Sequence, residues 1–180
     1  MDPFRVLGTE PRFALDLGVL EKTHRDLSRA LHPDKYVSAG ASERRDALSR
    51  AADVNEAWRV VRDPIRRAEA LFALAGIRTG DTHEPKPDQE LLFEMMELRE
   101  ALSEAKESND RDAVAHLGET MKARETAVLA SLAKGFDAAP TFDAATLAPL
   151  LTKLGELRYF RRFLEEVSSI EDFFDDQLAT

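Results

Sequence analysis

The chain has 180 residues, a net charge of −9 at pH 7 and no cysteine. The missing thiols exclude disulfides and thiolate metal sites, and no apolar run approaches the roughly 20 residues that span a bilayer. The first residues lack the basic start and apolar core of a secretory signal, so we expect a cytoplasmic protein.

The charge is unevenly distributed along the sequence. Residues 1–76 contain 13 basic and 12 acidic side chains, whereas residues 77–180 contain 12 basic and 22 acidic ones. Such an asymmetry indicates two functional regions. An acidic body without a long basic stripe repels phosphate, so we do not expect nucleic acid as a partner.

Helical periodicity extends through nearly the whole chain, and no convincing period-two run predicts a strand. A short helix is predicted near residues 3–7, and a longer one begins after Asp16, which can act as its N-cap. One face of this second helix is a buried stripe: Leu17, Leu20, His24, Leu27 and Leu31. His24 therefore fits a core position better than a functional one.

Proline and glycine mark the ends of the next elements. Pro33 ends the second helix, and after a loop the third helix has a single apolar face: Ala47, Ala51, Val54, Trp58 and Val61. Asp63 and Pro64 suit the N-cap and first position of a fourth helix. Gly76 suits its C-terminal cap.

The second region is predicted to be a three-helix bundle. Residues 77–87 contain little that could pack, so we place a linker there, between domains of residues 1–76 and 88–180. Long helices are predicted at about 88–108, at about 110–132, and from a start between 143 and 146 to residue 174. Pro149 favours the later start because proline is tolerated in an opening turn. Short loops imply antiparallel neighbours.

The tripeptide His32-Pro33-Asp34 is the most specific local signal. Pro33 fixes one backbone dihedral and removes a donor, which makes a rigid tip that displays an imidazole and a carboxylate. A basic surface that would steer an acidic partner lies beside it: Lys22, Arg25, Arg29 and Lys35. The alternative is an ordinary turn next to a solvated helix face.

No catalytic arrangement accompanies His32. The four histidines, His24, His32, His83 and His116, have no metal-binding helical spacing. Nucleophile-elbow, phosphate-loop and dinucleotide motifs are missing from the sequence. We therefore expect no enzymatic activity, no catalytic residues, no metal and no cofactor.

The first bundle helix has more apolar surface than a bundle needs. Its main stripe comprises Leu91, Met95, Leu98, Leu102 and Ala105. Leu92, Phe93 and Met96 point elsewhere, and Glu97 and Glu100 rim them with acid, as is common at partner sites. The alternative is that these apolar side chains pack on the first domain or on the other bundle helices.

The last helix shows a similar surplus. Its bundle stripe comprises Leu147, Leu150, Leu154, Leu157, Leu164 and Val167, whereas Tyr159 and Phe163 lie off that stripe. We expect Phe163 to be away from the main bundle contact. Tyr159 is likewise expected away from the main bundle contact.

The first region resembles the J-domain family. The similarity comprises the stretch from Leu31 to Tyr36, the segment from Asn55 to Trp58, and Asp63-Pro64 followed by the segment from Arg67 to Glu69. The resemblance implies that the tripeptide and its basic helix face dock on an HscA/DnaK-type ATPase chaperone. Docking there accelerates ATP hydrolysis by that chaperone.

Over nearly its whole length the chain is similar to the HscB-type co-chaperones of iron–sulfur cluster assembly. The opening Met-Asp-x-Phe and the segment from Glu97 to Glu100 add to the match. The resemblance implies that the bundle binds an IscU-type scaffold protein through Leu92, Phe93, Met96 and Tyr159, with Glu97 and Glu100 beside them. We expect a monomeric adaptor that presents this scaffold to the chaperone.

Some positions depart from the family pattern. Ala70 stands where tyrosine is frequent, and Phe93 and Tyr159 stand where methionine and phenylalanine are frequent. No cysteine-rich N-terminal extension of the kind found in some eukaryotic members is present, which favours a bacterial type. Two alternatives stay open: a general J-domain co-chaperone with another client, and a structural helical homodimer, which leaves the tripeptide unexplained.

Overall fold

The computed structural model describes residues 1–80, 83, 85, 87–139 and 141–178, and within these ranges it contains helices and turns but no strand. The prediction of an all-α fold is confirmed. No helix in the described ranges is long and apolar enough to cross a membrane.

The chain divides into two compact units. The first comprises residues 1–79 with residues 136–147, and the second comprises residues 80–135 with residues 148–180. This grouping differs from the predicted domain limits, which assign residues 136–147 to the bundle. Residues 81, 82, 84 and 86 of the predicted linker lie outside the described residues, and the linker remains a prediction.

The first unit is built around its longest helix. Its elements are α1 (Pro3–Val6), α2 (Leu17–Ala30), a 3₁₀ turn (Pro33–Tyr36), α3 (Ala41–Arg62) and α4 (Pro64–Leu74). Helix α3 contacts α1, α2, α4 and the 3₁₀ turn. The core of this unit includes Phe4, Leu7, Phe13, Leu20, Val54, Val61, Leu71 and Phe72.

The predicted caps define the helix ends. Asp16 Oδ1 accepts the Val19 N–H at 3.0 Å, and Asp63 Oδ1 accepts the Arg66 N–H at 2.9 Å, so both satisfy donors that a helix start leaves unpaired. Gly76 has a φ of +76°, the left-handed conformation of a residue just after a helix. These three predictions are confirmed.

Arg67 is a buried cation that joins three parts of the first unit. Its Nε and Nη1 donate at 2.7 Å to the carbonyl oxygens of Val61 and Phe13, and Nη2 donates to Arg62 O at 3.4 Å. Burial lowers the pKa of Arg67, and the charge of Asp63 opposes this shift. The guanidinium therefore ties the α3–α4 corner to the segment that precedes α2.

Replacing this cation should destabilise the first unit strongly. Arg67→Met keeps much of the apolar volume but leaves buried carbonyl groups unpaired, so we expect a loss of about 2–4 kcal/mol in the free energy of unfolding. Urea denaturation followed by the fluorescence of Trp58, the single tryptophan, measures it. The exposed neighbour gives the control Arg66→Met, expected to cost under about 0.5 kcal/mol. Equal losses in the two variants would contradict the role of Arg67.

Three long helices form the bundle of the second unit: α5 (Gln89–Glu107), α6 (Arg111–Ala138) and α8 (Leu151–Leu178). The last turn of α6 and the short helix α7 (Ala144–Leu147) belong to the first unit, and a 3₁₀ turn (Ala148–Leu150) leads into α8. The prediction of one continuous last helix is wrong. Pro149 lacks the N–H that would donate to residue 145, and its ring crowds that carbonyl. The main helix therefore begins after the proline.

Helix α6 is longer than predicted. Its predicted end was near residue 132, but it extends to Ala138. The added turn contains Phe136, which is buried in the first unit, stacked on Phe13 with ring centroids 5.6 Å apart and tilted on Phe72 at 5.3 Å. Burial of the Phe136 ring stabilises the helical structure of α6 beyond its predicted end near residue 132.

In the bundle, α5 and α8 run parallel and α6 runs antiparallel to both. Arg99 Nη2 on α5 donates to Glu166 Oε1 on α8 at 2.9 Å, across 67 positions. Lys106 lies 5.4 Å from the Phe173 ring centroid, which is the same separation in sequence. Position n on α5 is thus level with position n+67 on α8.

The bundle core is continuous along all three helices. It includes Met95, Leu102, Val114, Met121, Val128, Leu132, Leu154, Leu157, Phe163, Val167 and Phe174. The expectation for Phe163 is wrong, since its side chain is fully buried. Helix α8 packs against both α5 and α6, so its buried face is wider than the single stripe predicted from helical spacing.

Candidate functional site

The tripeptide forms an exposed, ordered turn at the end of α2. His32 is the N-cap of the 3₁₀ turn: its Nδ1 accepts the Asp34 N–H at 3.3 Å, and its carbonyl accepts the Lys35 N–H at 3.0 Å. The His32 and Asp34 side chains are 58% and 86% exposed, with Nδ1 and Oδ2 3.4 Å apart. Because Nδ1 is the acceptor, the neutral ring carries its proton on Nε2. This N–H can donate a hydrogen bond to a partner.

His24 has a different role from His32. Its Nε2 lies 3.0 Å from Asn55 Oδ1, and its ring stacks on Trp58 with centroids 5.5 Å apart. These contacts fasten α2 to α3 and thereby position the turn that follows α2. His24 is half-buried, so it packs at the contact between α2 and α3 and not in the core as predicted.

The basic face of α2 is exposed but partly compensated. Arg25 lies 3.6 Å from Glu21, and Arg29 lies 3.8 Å from Asp26, both within the same helix. Lys22 and Lys35 are exposed and make no ion pair with any other described residue. The uncompensated positive charge near the turn therefore comes mainly from the two lysines.

The surplus apolar side chains of α5 lie at the surface. Phe93 is 63% exposed and Met96 is 69% exposed, whereas Leu92 is half-buried. Glu97 and Glu100 are exposed beside them. The alternative that Phe93 and Met96 pack on the other bundle helices is therefore wrong.

The helix register places an aromatic side chain of α8 at the same level. Since α5 and α8 are offset by 67 positions, Leu92 is level with Tyr159, which is half-buried. We call Leu92, Phe93, Met96 and Tyr159 the apolar patch. Its members come from α5 and α8. The predicted bundle of antiparallel neighbours makes these two helices parallel, but no sequence pattern could have given their register.

Among the described residues, no group of three or more histidine, aspartate or glutamate side chains is placed to hold a metal ion.

The pKa of one bundle carboxylate, Glu94, is shifted by an interhelical contact. A hydrogen bond from Arg124 lowers the pKa of Glu94, and the same contact raises the pKa of Arg124. Interhelical ion pairs of this kind went unpredicted, because their partners are distant in sequence.

This pair should make bundle stability depend on pH. A lowered pKa of Glu94 means that its stabilisation is present above the ordinary glutamate pKa and is lost as the pH falls through the folded-state value. Because the pair is partly exposed, Glu94→Gln should cost less than about 1 kcal/mol at pH 7, and the difference from wild type should be smaller at pH 3. Urea titrations at both pH values test this. Glu119→Gln, at an exposed position within α6, is the control, and a cost of Glu94→Gln that is independent of pH would contradict the assignment.

Known proteins resemble this chain over almost its full length. Residues 87–168 match a family model described as the HSCB C-terminal oligomerisation domain. The co-chaperone protein HscB homolog of Bordetella avium is 34% identical, covering 94% of this chain and 97% of that protein. The homolog of Shewanella oneidensis is 32% identical, covering 96% and 98%.

Two solved structures share the fold. Chaperone HscB from Vibrio cholerae superposes with a TM-score of 0.82 at 28% identity, covering 97% of this chain and 99% of that chain. Human co-chaperone protein HscB superposes with a TM-score of 0.84 at 22% identity, covering 95% and 82%. The human likeness shows the fold alone.

A J domain with an exposed His-Pro-Asp turn, followed by a C-terminal helical domain, defines a J-domain co-chaperone rather than an enzyme. Within that class the chain belongs to the HscB family, since a relative 34% identical is covered over 97% of its length. The resemblance read from the sequence, to the co-chaperones of iron–sulfur cluster assembly, is thereby confirmed.

Proposed function

We propose that this protein stimulates the ATPase of an HscA/DnaK-type chaperone and delivers an IscU-type scaffold protein to it, which aids the maturation of iron–sulfur proteins. The observation that carries the proposal is the presence of two exposed surfaces of different chemistry. One is the polar His32-Pro33-Asp34 turn in the first unit, and the other is the apolar patch in the second.

The turn fits a contact that regulates another protein's nucleotide chemistry. The His32 ring is held by a hydrogen bond from the Asp34 N–H, so the imidazole loses little conformational entropy on binding. Lys22 and Lys35 are free to attract acidic groups, which raises the association rate and makes it sensitive to salt. ATP hydrolysis belongs to the partner, so this chain needs neither a nucleophile nor a cofactor of its own.

The apolar patch fits a protein client. Phe93 and Met96 offer large side chains that a partner can remove from water, and such residues often dominate interface energies. Glu97 and Glu100 form an acidic rim and would form ion pairs with basic groups of a scaffold. A scaffold held here would have a raised local concentration at the chaperone, because both sites belong to one molecule.

Steady-state ATP hydrolysis by an HscA-type chaperone tests the proposal. We expect the rate to rise on adding this chain and to rise further when an IscU-type scaffold is added with it. No increase with the chain alone would refute the J-domain role. An increase that is indifferent to the scaffold, but grows with another captured client, would instead favour a general folding co-chaperone.

Self-association is the second candidate role of the apolar patch. It is favoured by the matching family's description as an oligomerisation domain and by the exposure of Phe93 and Met96. Sedimentation equilibrium distinguishes scaffold binding from self-association as the role of the patch. A mass that stays monomeric with increasing protein concentration supports scaffold binding, and a shift to the mass of a dimer supports self-association. We propose a monomer that acts in the cytoplasm, away from membranes and nucleic acids.

A further inference from the structure

Interhelical ion pairs connect all three long helices of the bundle. Three of these ion pairs form what we call the collar, whose six side chains are Glu94, Arg99, Arg124, Glu125, Arg161 and Glu166. Each of the three helices contributes two collar residues, and one collar ion pair joins each pair of helices. Charged contacts therefore close the bundle on all three sides.

Two of the pairs form one layer across the bundle. Glu94 on α5 pairs with Arg124 on α6, and Arg161 Nε on α8 donates to Glu125 Oε1 on α6 at 2.9 Å. Arg124 and Glu125 are consecutive residues, and by the helix register Glu94 is level with Arg161. The layer lies two residues beyond the level of Leu92, which is roughly 3 Å along the helix axis.

The third pair joins the two helices that carry the apolar patch. Arg99 on α5 donates to both carboxylate oxygens of Glu166 on α8, through Nε at 3.2 Å and through Nη2 at 2.9 Å. A two-point contact of this kind is directional as well as attractive. Arg99 lies within the segment from Glu97 to Glu100 that the family resemblance includes, yet it has no place among the proposed scaffold contacts.

We infer that the collar positions the apolar patch, with Arg99 and Glu166 as the positioning residues. This inference rests on the proposed binding of a scaffold. No short loop joins α5 to α8, so the two-point contact of Arg99 with Glu166 adds a directional constraint to the side-chain packing that sets their register. Holding α5 and α8 in this register presents Tyr159 beside Leu92 before the partner arrives, which lowers the cost of binding.

An exchange of charges tests the inference. In isothermal titrations with an apo IscU-type scaffold, Arg99→Glu and Glu166→Arg should each weaken binding about fivefold, the size expected for a partly exposed pair. The double exchange R99E/E166R restores the ion pair in reverse and should return the affinity to within about twofold of wild type. A double variant as weak as Arg99→Glu would overturn the inference and indicate that Arg99 touches the scaffold directly.

A distance measurement in the free protein provides a readout without the scaffold. Because the chain has no cysteine, spin labels at Gln89→Cys and Thr152→Cys, in the first turns of α5 and α8, report only the separation of these helices. Arg99→Glu should broaden the distance distribution, and the double exchange should narrow it again. An unchanged distribution in Arg99→Glu refutes the collar, whereas a wild-type chain that fails to bind the scaffold refutes the proposed function instead.

An ion pair at the other end of the bundle is the matched control. Arg111 Nη1 on α6 donates to Asp175 Oδ1 on α8 at 2.8 Å, far from the level of the patch. Arg111→Glu should lower thermal stability at least as much as Arg99→Glu, since Arg111 also contacts the Phe174 carbonyl and ring, and it should leave scaffold affinity unchanged. If it weakens scaffold binding equally, the effect of Arg99→Glu is general destabilisation and the inference fails.

Discussion

His32→Gln is expected to reduce stimulation of the partner ATPase to near the basal rate. Glutamine retains polarity and approximate length, but it lacks the ring that places Nδ1 against the Asp34 N–H at 3.3 Å and holds Nε2 at a fixed angle to it. Loss of a central interface contact costs about 2 kcal/mol or more, roughly 30-fold in the concentration needed for half-maximal stimulation. Steady-state ATP hydrolysis, titrated with each variant, measures it.

The structure supplies two controls for this experiment. The His32 side chain is exposed and outside the core, so His32→Gln should keep the wild-type helical content and melting temperature. His116→Gln makes the same change at an exposed histidine of α6 and should stimulate the ATPase normally. Undiminished stimulation by His32→Gln would remove the basis of the proposed chaperone contact.

Phe93→Ala is expected to weaken scaffold binding by about 2 kcal/mol, or roughly 30-fold in Kd. The exposed ring contributes little to the fold, so its loss removes interface area without opening a cavity. Leu92→Ala should weaken binding as well, with part of its effect on stability because that side chain is half-buried. Isothermal titration calorimetry, with circular dichroism to monitor helicity, measures both variants.

Phe173→Ala is the matched control for the patch. Phe173 is also an exposed ring of the bundle, but it lies beside Lys106 near the other end of α8. Its removal should leave scaffold affinity unchanged. Phe93→Ala should also stimulate the ATPase normally when no scaffold is present, since its effect belongs to client binding. Equal scaffold affinity for Phe93→Ala and wild type would contradict the proposed client site.

Much of the fold was determined by short-range features of the sequence. Asp16 and Asp63 cap their helices as predicted, with carboxylate to N–H distances of 3.0 Å and 2.9 Å. Pro33 ends α2 and shapes the exposed turn. The surplus apolar character of α5 correctly indicated side chains at the surface. Caps, prolines and helical periodicity act within a few residues, so a single sequence contains nearly all that decides them.

Tertiary structure alone decided the features that depend on contacts between distant residues. Phe136 extends α6 because it stacks on Phe13, Phe163 is buried rather than displaced from the core, and Arg67 binds a carbonyl 54 positions away. The parallel register of α5 and α8, shown by a pair 67 positions apart, puts Leu92 and Tyr159 at the same level. Helical spacing predicts which face of a helix a residue occupies. It does not predict which other helix packs on that face, or in what register, because packing of complete side-chain surfaces determines the partner helix and the register.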